Sequence, residues 1–338
     1  MTTGRKEIVE MLSAREGDLE ALFSRAAAVR KREVGDRLYL RGLIEYSNLC
    51  RKNCFYCGIR SGNPRAMRYT LSDTEVLDAA RYALENRFGS VVLQGGEMQG
   101  DRHTERIESL VRGIKALSDG ALGITLSLGE QSADTYRRWF EAGAHRYLLR
   151  IESSSRRIYE RIHPADGRHR FDDRLRALCD LREVGYQVGT GVMIGLPGQT
   201  VEDLAGDICF MRDFDIDMCG MGPYVEAEGT PLQQRCGDPP PRDWRLLMSL
   251  RMIAALRIVM PDINIAAATS LGSLSPDGRL DAVRCGANVV MPNVTPGAFR
   301  EQYALYDGKS SAIDYRLLIN NVAFGRWGDS IRFGKKNK

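Results

Sequence analysis

The chain has 338 residues, 43% of them hydrophobic and 27% charged, with a formal net charge of +4. That balance is the one a soluble globular protein shows, with room for one large α/β barrel or two ordinary domains. The weak charge and the lack of a basic stripe with interleaved aromatics exclude a nucleic-acid arm, no run is apolar enough for a bilayer span, and Met1 to Arg15 lacks the apolar core of a signal peptide.

In chain order, a helical stretch from about Leu19 to Arg32 precedes the core, so residues 1–36 are expected to form an N-terminal helical extension. Leu38 to Tyr46 reads as a first strand that delivers the chain into Cys50-Arg-Lys-Asn-Cys54-Phe-Tyr-Cys57. Strand patterns then alternate with helical ones. The strands are expected at 90–94, 123–128, 146–151, 187–194, 218–224, 263–268 and 288–291. Helices between them are expected at 74–86, 105–117, 133–142, 171–185, 201–214 and 242–260, with Thr200 as an N-cap. Eight strands in β-α alternation predict a single-domain (βα)8 TIM-type barrel over 37–310. Residues 311–338 are expected to add a C-terminal helical segment and tail packed on the barrel. An open doubly wound sheet is the alternative. No linker, repeat or low-complexity segment divides the chain.

The Cx3CxxC spacing of Cys50, Cys54 and Cys57 gives three thiolates to a 4Fe-4S cluster and leaves one iron open, as a chemical site requires. A zinc site completed by a distant fourth ligand is the alternative. No second close pair exists among Cys179, Cys209, Cys219, Cys236 and Cys285, which read as buried packing residues. Free thiols and an oxygen-sensitive cluster suit a reducing cytoplasm.

Barrel active sites form where the strands run out into the following loops. One such end carries Gln94-Gly95-Gly96-Glu97, where glycines admit close backbone approach and a carboxylate accepts from an amino group. The next carries Thr125-Leu-Ser127-Leu-Gly129-Glu130, whose last carboxylate either serves the site or meets the dipole of the following helix. Arg150-Ile-Glu152 puts a cation and an anion on one face of a strand, for a ligand or for each other. His103, His145, His163 and His169 have no metal-ligand spacing and read as surface or packing residues.

Several segments together resemble the FeFe-hydrogenase maturases of the HydE family over nearly the whole chain. They are Ile44 to Asn48 before the cysteines, Thr125 to Glu130, Arg146 to Arg150, Gly195-Leu-Pro-Gly-Gln-Thr200, Cys285 to Asn293, and Leu305-Tyr-Asp-Gly-Lys309. Methylornithine synthase of pyrrolysine biosynthesis is the nearest other group, and biotin synthase is more remote. The resemblance implies a radical S-adenosyl-L-methionine (SAM) enzyme. Such an enzyme cleaves SAM to a 5′-deoxyadenosyl radical and helps assemble the diiron subcluster of the hydrogenase H-cluster, by attack at a cysteine-derived sulfur. A radical amino-acid mutase of the methylornithine synthase type is the alternative within the class.

Carried over residue by residue, the resemblance implies Tyr56, Gly95, Gly96, Glu97, Ser127, Arg150, Glu152 and Arg174 around SAM. Thr125, Met218 and Tyr303 would lie at the reactive region, with Arg146, Thr269 and Ser270 in a deeper substrate part. Its implied partners are a small iron-containing or thiol substrate, the maturases HydG and HydF, and an electron donor such as ferredoxin or flavodoxin. Two positions depart from the pattern: Ala268-Thr269 replaces a Thr-Thr pair, and Ile151 stands where some members have His. Ser310 to Lys338 contains no cysteine, so no accessory cluster is expected there.

Overall fold

The computed structural model describes residues 3–309, so the expected C-terminal segment at 311–338 lies outside the described residues. Two helices come first, α1 (Arg5–Leu12) and α2 (Glu16–Val34). The barrel then runs β1 (Tyr39–Ser47), α3 (Asp73–Glu85), β2 (Ser90–Gly95), α4 (Asp101–Leu117), β3 (Gly123–Ser127), α5 (Ala133–Glu141) and β4 (Arg146–Leu148). Its second half has α6 (Arg156–Ile162), α7 (Phe171–Val184), β5 (Gln187–Thr190), β6 (Met193–Ile194), α8 (Val201–Asp213), β7 (Met218–Cys219) and β8 (Gly222–Pro223). It finishes with α9 (Leu232–Cys236), α10 (Arg242–Val259), β9 (Asn264–Ile265), α11 (Thr269–Leu274), α12 (Gly278–Arg284), β10 (Val289–Val290) and α13 (Gly297–Arg300).

Eight strands pair in parallel in the order β10-β1-β2-β3-β4-β5-β7-β9. A bridge between Ala266 and Val289, with the Asn288 N–H donating to the Ile265 carbonyl at 2.9 Å, joins the two ends of that order. The molecule is therefore a single-domain (βα)8 barrel, as the alternation predicts, and the doubly wound alternative falls. Among the described residues no helix is long and apolar enough to cross a membrane.

Local chemistry explains the element boundaries. Ser72 with Glu75 and Thr200 with Asp203 form capping boxes that start α3 and α8, so two otherwise orphaned N–H groups are satisfied at each end. Helix α10 is buried on nearly all sides in its second half, because one side faces the barrel and α1 and α2 cover the other. Arg257 is buried in that interface, where the attraction of Asp262 is outweighed by burial. It donates to the Gly286 and Pro261 carbonyls at 2.9 Å and to Asn288 Oδ1 at 3.1 Å, and burial lowers its pKa to about 9.

Two expected strands are broken. The 187–194 run splits into β5 and β6, and 218–224 splits into β7 and β8; β5 and β7 stay in the barrel sheet, while β6 and β8 pair as a separate two-stranded sheet. The cause is a close backbone approach at the break: a side chain on Gly191 would stand 2.1 Å from the Gly220 carbonyl oxygen. Carbonyls freed there are claimed by Arg150, which donates to Gly220 at 2.6 Å and Val192 at 3.0 Å. The cysteine expectation also needs correction. Cys219, Cys236 and Cys285 are buried, but Cys179 on α7 is exposed and Cys209 on α8 is half-buried.

Candidate active site

A cavity of about 290 Å³ opens at the carboxyl ends of the strands. Strand β1 feeds the cysteine loop into its wall, so Cys50, Cys54 and Cys57 line it together with Tyr56. Burial pushes all three thiols up, Cys57 to about 12, and Cys54 is raised further by the nearness of Cys57 and Cys50. Soft donors held this close ionise together only beside a cation, which is the condition an iron–sulfur cluster meets. Among the described residues no three His, Cys, Asp or Glu side chains stand close enough to share one metal ion. A cubane takes each thiolate at a separate iron corner, so it fits a wider triangle than zinc does.

The loop after β2 supplies the opposite wall. Gly95, Gly96 and Glu97 all line the cavity, yet the glycines also answer to packing inside the protein. A side chain on Gly95 would come 2.6 Å from the Tyr46 ring, and one on Gly96 would come 2.2 Å from the Leu49 carbonyl oxygen. The turn is therefore pressed against the cysteine loop, and the Arg51 N–H donates to the Glu97 carbonyl at 2.9 Å.

Four buried charges tie these loops together. Lys52, inside the cysteine loop and 3% exposed, stands 3.2 Å from Glu97 and 2.7 Å from Glu130. Arg174 on α7 donates to Glu130 at 2.5 Å, lies 3.8 Å from Glu97, and donates to the Arg150 carbonyl at 2.9 Å. Burial raises the Glu97 carboxyl despite Arg174. Burial opposes ionisation of Glu130 as well, but Arg174 and Lys52 hold its pKa below the usual range. Glu130 is thus a member of this network; α5 takes its cap from Ser132. Lys52 was not among the residues that sequence reasoning picked out, because nothing in Arg51-Lys52 distinguishes an inward cation from a surface one.

Arg150 and Glu152 pair with each other at 3.0 Å, and both face the cavity beside Ser127. Glu152 holds φ 65°, a left-handed conformation uncommon for a residue with a side chain. The residues after it are gripped by Asp207 of α8, whose Oδ1 accepts from the Ser154 N–H and hydroxyl at 2.6 Å each. Burial raises the Asp207 pKa to about 7. An unfolded Asp titrates near about 4, so the native state keeps a proton that the unfolded state has released, and stability falls as pH rises from about 4 through 7. Asp207→Asn is expected to flatten that slope, since the amide oxygen still accepts from Ser154. Urea midpoints at pH 5 and 8 check it: a difference between the two as large as the parent's would show that Asp207 is not the titrating group.

Thr269, Ser270 and Tyr303 also line the cavity, with Thr269 Oγ1 2.7 Å from the Tyr306 hydroxyl and Tyr303 accepting from Gln94 at 3.3 Å. Lys309 reaches in from the last described turn to pair with Glu45 and donates to the Tyr303 carbonyl at 2.9 Å. Asn293 donates to the second Glu45 oxygen at 2.9 Å. Thr125, Met218 and Arg146 are not part of this wall. They lie a layer deeper, because Thr125 and Arg146 are register partners and Arg146 and Met218 are the first residues of β4 and β7. There Arg41 donates to Met218 Sδ at 3.2 Å, and burial together with Arg41 lowers the Arg146 pKa.

The histidines near the cysteines are buried and specific. The Asn53 N–H donates to His169 Nε2 at 3.0 Å, so His169 Nδ1 carries the proton shared with Asp166 at 2.7 Å. His163 packs between Tyr159 and Tyr56.

Residues 44–210 match the Radical SAM superfamily. The chain is 41% identical over 309 residues to the [FeFe] hydrogenase maturase subunit HydE of Thermotoga maritima, a match spanning 90% of this chain and 84% of that protein. It is 27% identical to a 3-methylornithine synthase of Methanosarcina acetivorans, over 86% of this chain and 79% of the other. Among solved structures, methylornithine synthase PylB superposes with a TM-score of 0.81 at 25% identity, over 96% of this chain and 95% of that one. HydG from Carboxydothermus hydrogenoformans shares the fold, with a TM-score of 0.74 at 22% identity over 85% of this chain and 66% of that one.

Proposed function

Given that the chain belongs to the HydE family of radical SAM [FeFe] hydrogenase maturases, we propose that it cleaves SAM and serves H-cluster assembly by acting at a cysteine-derived sulfur in a small iron-containing substrate. The observation that supports this reading is one cavity lined at once by the cysteine triplet, by Gly95, Gly96 and Glu97, and by the Arg150–Glu152 pair. When bound, a 4Fe-4S cluster on Cys50, Cys54 and Cys57 supplies the electron that breaks the C–S bond of SAM.

The chain's own residues bind, orient and shield. Glu97 and the carbonyls of its loop accept from the SAM ammonium group. Glu152 accepts from the ribose hydroxyls, and Ser127 and Tyr56 flank the same space. Arg174 would answer the SAM carboxylate, although Glu97 and Glu130 already balance its charge. Tyr303, Thr269 and Ser270 face the substrate space, with Thr125, Met218 and Arg146 beneath it as its floor. A buried cavity excludes water from a reactive radical, and that favours a small substrate inside the barrel over a protein surface outside it. HydG, HydF and a ferredoxin or flavodoxin are the proposed partners.

The difference between 41% and 27% identity favours hydrogenase maturation over the methylornithine synthase type of reaction. The test is in vitro maturation of apo-hydrogenase with this protein as the only variable component. Hydrogen evolution is expected to depend on it. Absence of maturation, with conversion of lysine to methylornithine, would transfer the chain to the other reading.

A further inference from the structure

The segment from Tyr46 to Ser72, which carries the cysteines, contains Arg51, Lys52, Arg60, Arg65 and Arg68 and no Asp or Glu. Its charge exceeds the +4 of the entire chain. Lys52 turns inward to Glu97 and Glu130, but the arginines stay at or near the surface. Three of them direct their hydrogen bonds to neutral acceptors: Arg51 to Gln99, Arg60 to Asn53 and the Gly229 carbonyl, and Arg68 to the Asn48, Ile59 and Arg60 carbonyls. Among the described residues only Arg65 of the four pairs with a carboxylate, Glu228, through side chains 67% and 78% exposed, and such a pair is weak in water.

The apolar residues of the same surface are as distinctive. Among the described residues the exposed large hydrophobics are Leu49, Met67 and Tyr82. Two of these three lie together beside the cysteines: Leu49 precedes Cys50, and the Met67 carbonyl accepts from Asn48 at 2.6 Å. An apolar centre with an arginine rim is the anatomy of a protein-docking surface. A stacking platform for nucleic acid would present aromatic rings instead.

We propose that this face, centred on Leu49 and Met67 and rimmed by Arg51, Arg60 and Arg65, docks an acidic one-electron carrier protein. The proposal rests on the assignment of the cysteine triplet to a cluster. Electron tunnelling weakens steeply with distance, so a carrier must sit on the face nearest the cluster, and here Cys50 lies one residue from exposed Leu49 and one from Arg51. The carrier loses one electron, the cluster passes from its 2+ to its 1+ state, and no bond forms or breaks. Opposite charge draws the carrier in, and the apolar centre holds it long enough for transfer.

Reduced flavodoxin, an acidic flavin protein, is the probe. The variants are Arg65→Glu and Met67→Glu, two exposed side chains that carry no part of the cavity. Cluster reduction is followed by stopped-flow absorbance and by the paramagnetic signal of the 1+ state, against dithionite as a small reductant without a docking requirement. Reduction by flavodoxin is expected to fall roughly tenfold in either variant and to lose much of its salt dependence, while reduction by dithionite stays within about twofold of the parent. Binding of oxidised flavodoxin to the cluster-free protein should weaken in parallel. Unchanged flavodoxin rates in both variants would overturn the proposal, as would equal slowing with both reductants. If the face is instead covered by residues 310–338, or binds a nucleic acid, charge reversal leaves electron transfer unaffected, and the proposal falls. A parent protein that holds no reducible cluster would count against the cluster assignment itself, a separate outcome.

Discussion

Alanine at Cys50, Cys54 or Cys57 abolishes iron and sulfide binding in anaerobically reconstituted protein, whereas alanine at any of the other five cysteines leaves both intact. The expected change is from about four irons per chain to none, because a cubane with an open corner has only three protein ligands to lose from. The three thiols share one cavity wall, and burial and mutual repulsion keep them protonated until a cation joins them. Cys219, Cys236 and Cys285 are buried but do not line that cavity, and Cys179 is exposed on a helix. Iron and sulfide analysis of all eight variants checks the assignment. Loss of the cluster in Cys285→Ala, or full retention in Cys54→Ala, contradicts it.

Arg174→Met is expected to be the most destabilising single change in the site, by about 3–5 kcal/mol, because it leaves Lys52 alone against two buried carboxylates. Arg174, Glu97 and Glu130 are 11%, 6% and 12% exposed, so water replaces the missing cation poorly. Adding Glu130→Gln restores charge balance and should recover a large part of the loss, a coupling that a double-mutant cycle measures directly. Urea unfolding of the parent, the two single variants and the pair gives the four values. A single-variant loss below about 1 kcal/mol would mean the network is solvated, in the range of surface pairs.

Much of the architecture is legible in the sequence. The alternation of apolar strand runs with amphipathic helices leads to the barrel, and the cysteine spacing leads to the correct loop at the correct end. What escapes is whatever depends on partners far away in the chain. The interruptions after Thr190 and Cys219 follow from two backbones pressing together at Gly191 and Gly220, and no local pattern encodes that contact. Lys52, Glu130 and Arg174 come from three separate loops and helices, so their convergence is a product of closure. Depth is equally hidden: Thr125 and Ser127 sit on one strand and one face, yet the second reaches the cavity wall and the first lies below it. The strained backbone at Glu152 is held by Asp207 from 55 positions further along, and neither residue announces the other.

The tether between Glu45 and Lys309 spans 264 positions, from the first strand to the last described turn. During synthesis the ribosome therefore delivers the cysteine loop long before the residue that fastens the mouth of the barrel. Closing so long a loop adds little entropic cost, but it has to come late. Throughout that interval the cysteine loop belongs to an unfinished vessel. Order of emergence thus separates the appearance of the cysteine loop from the fastening of the barrel mouth, by the distance in the gene between Glu45 and a single lysine.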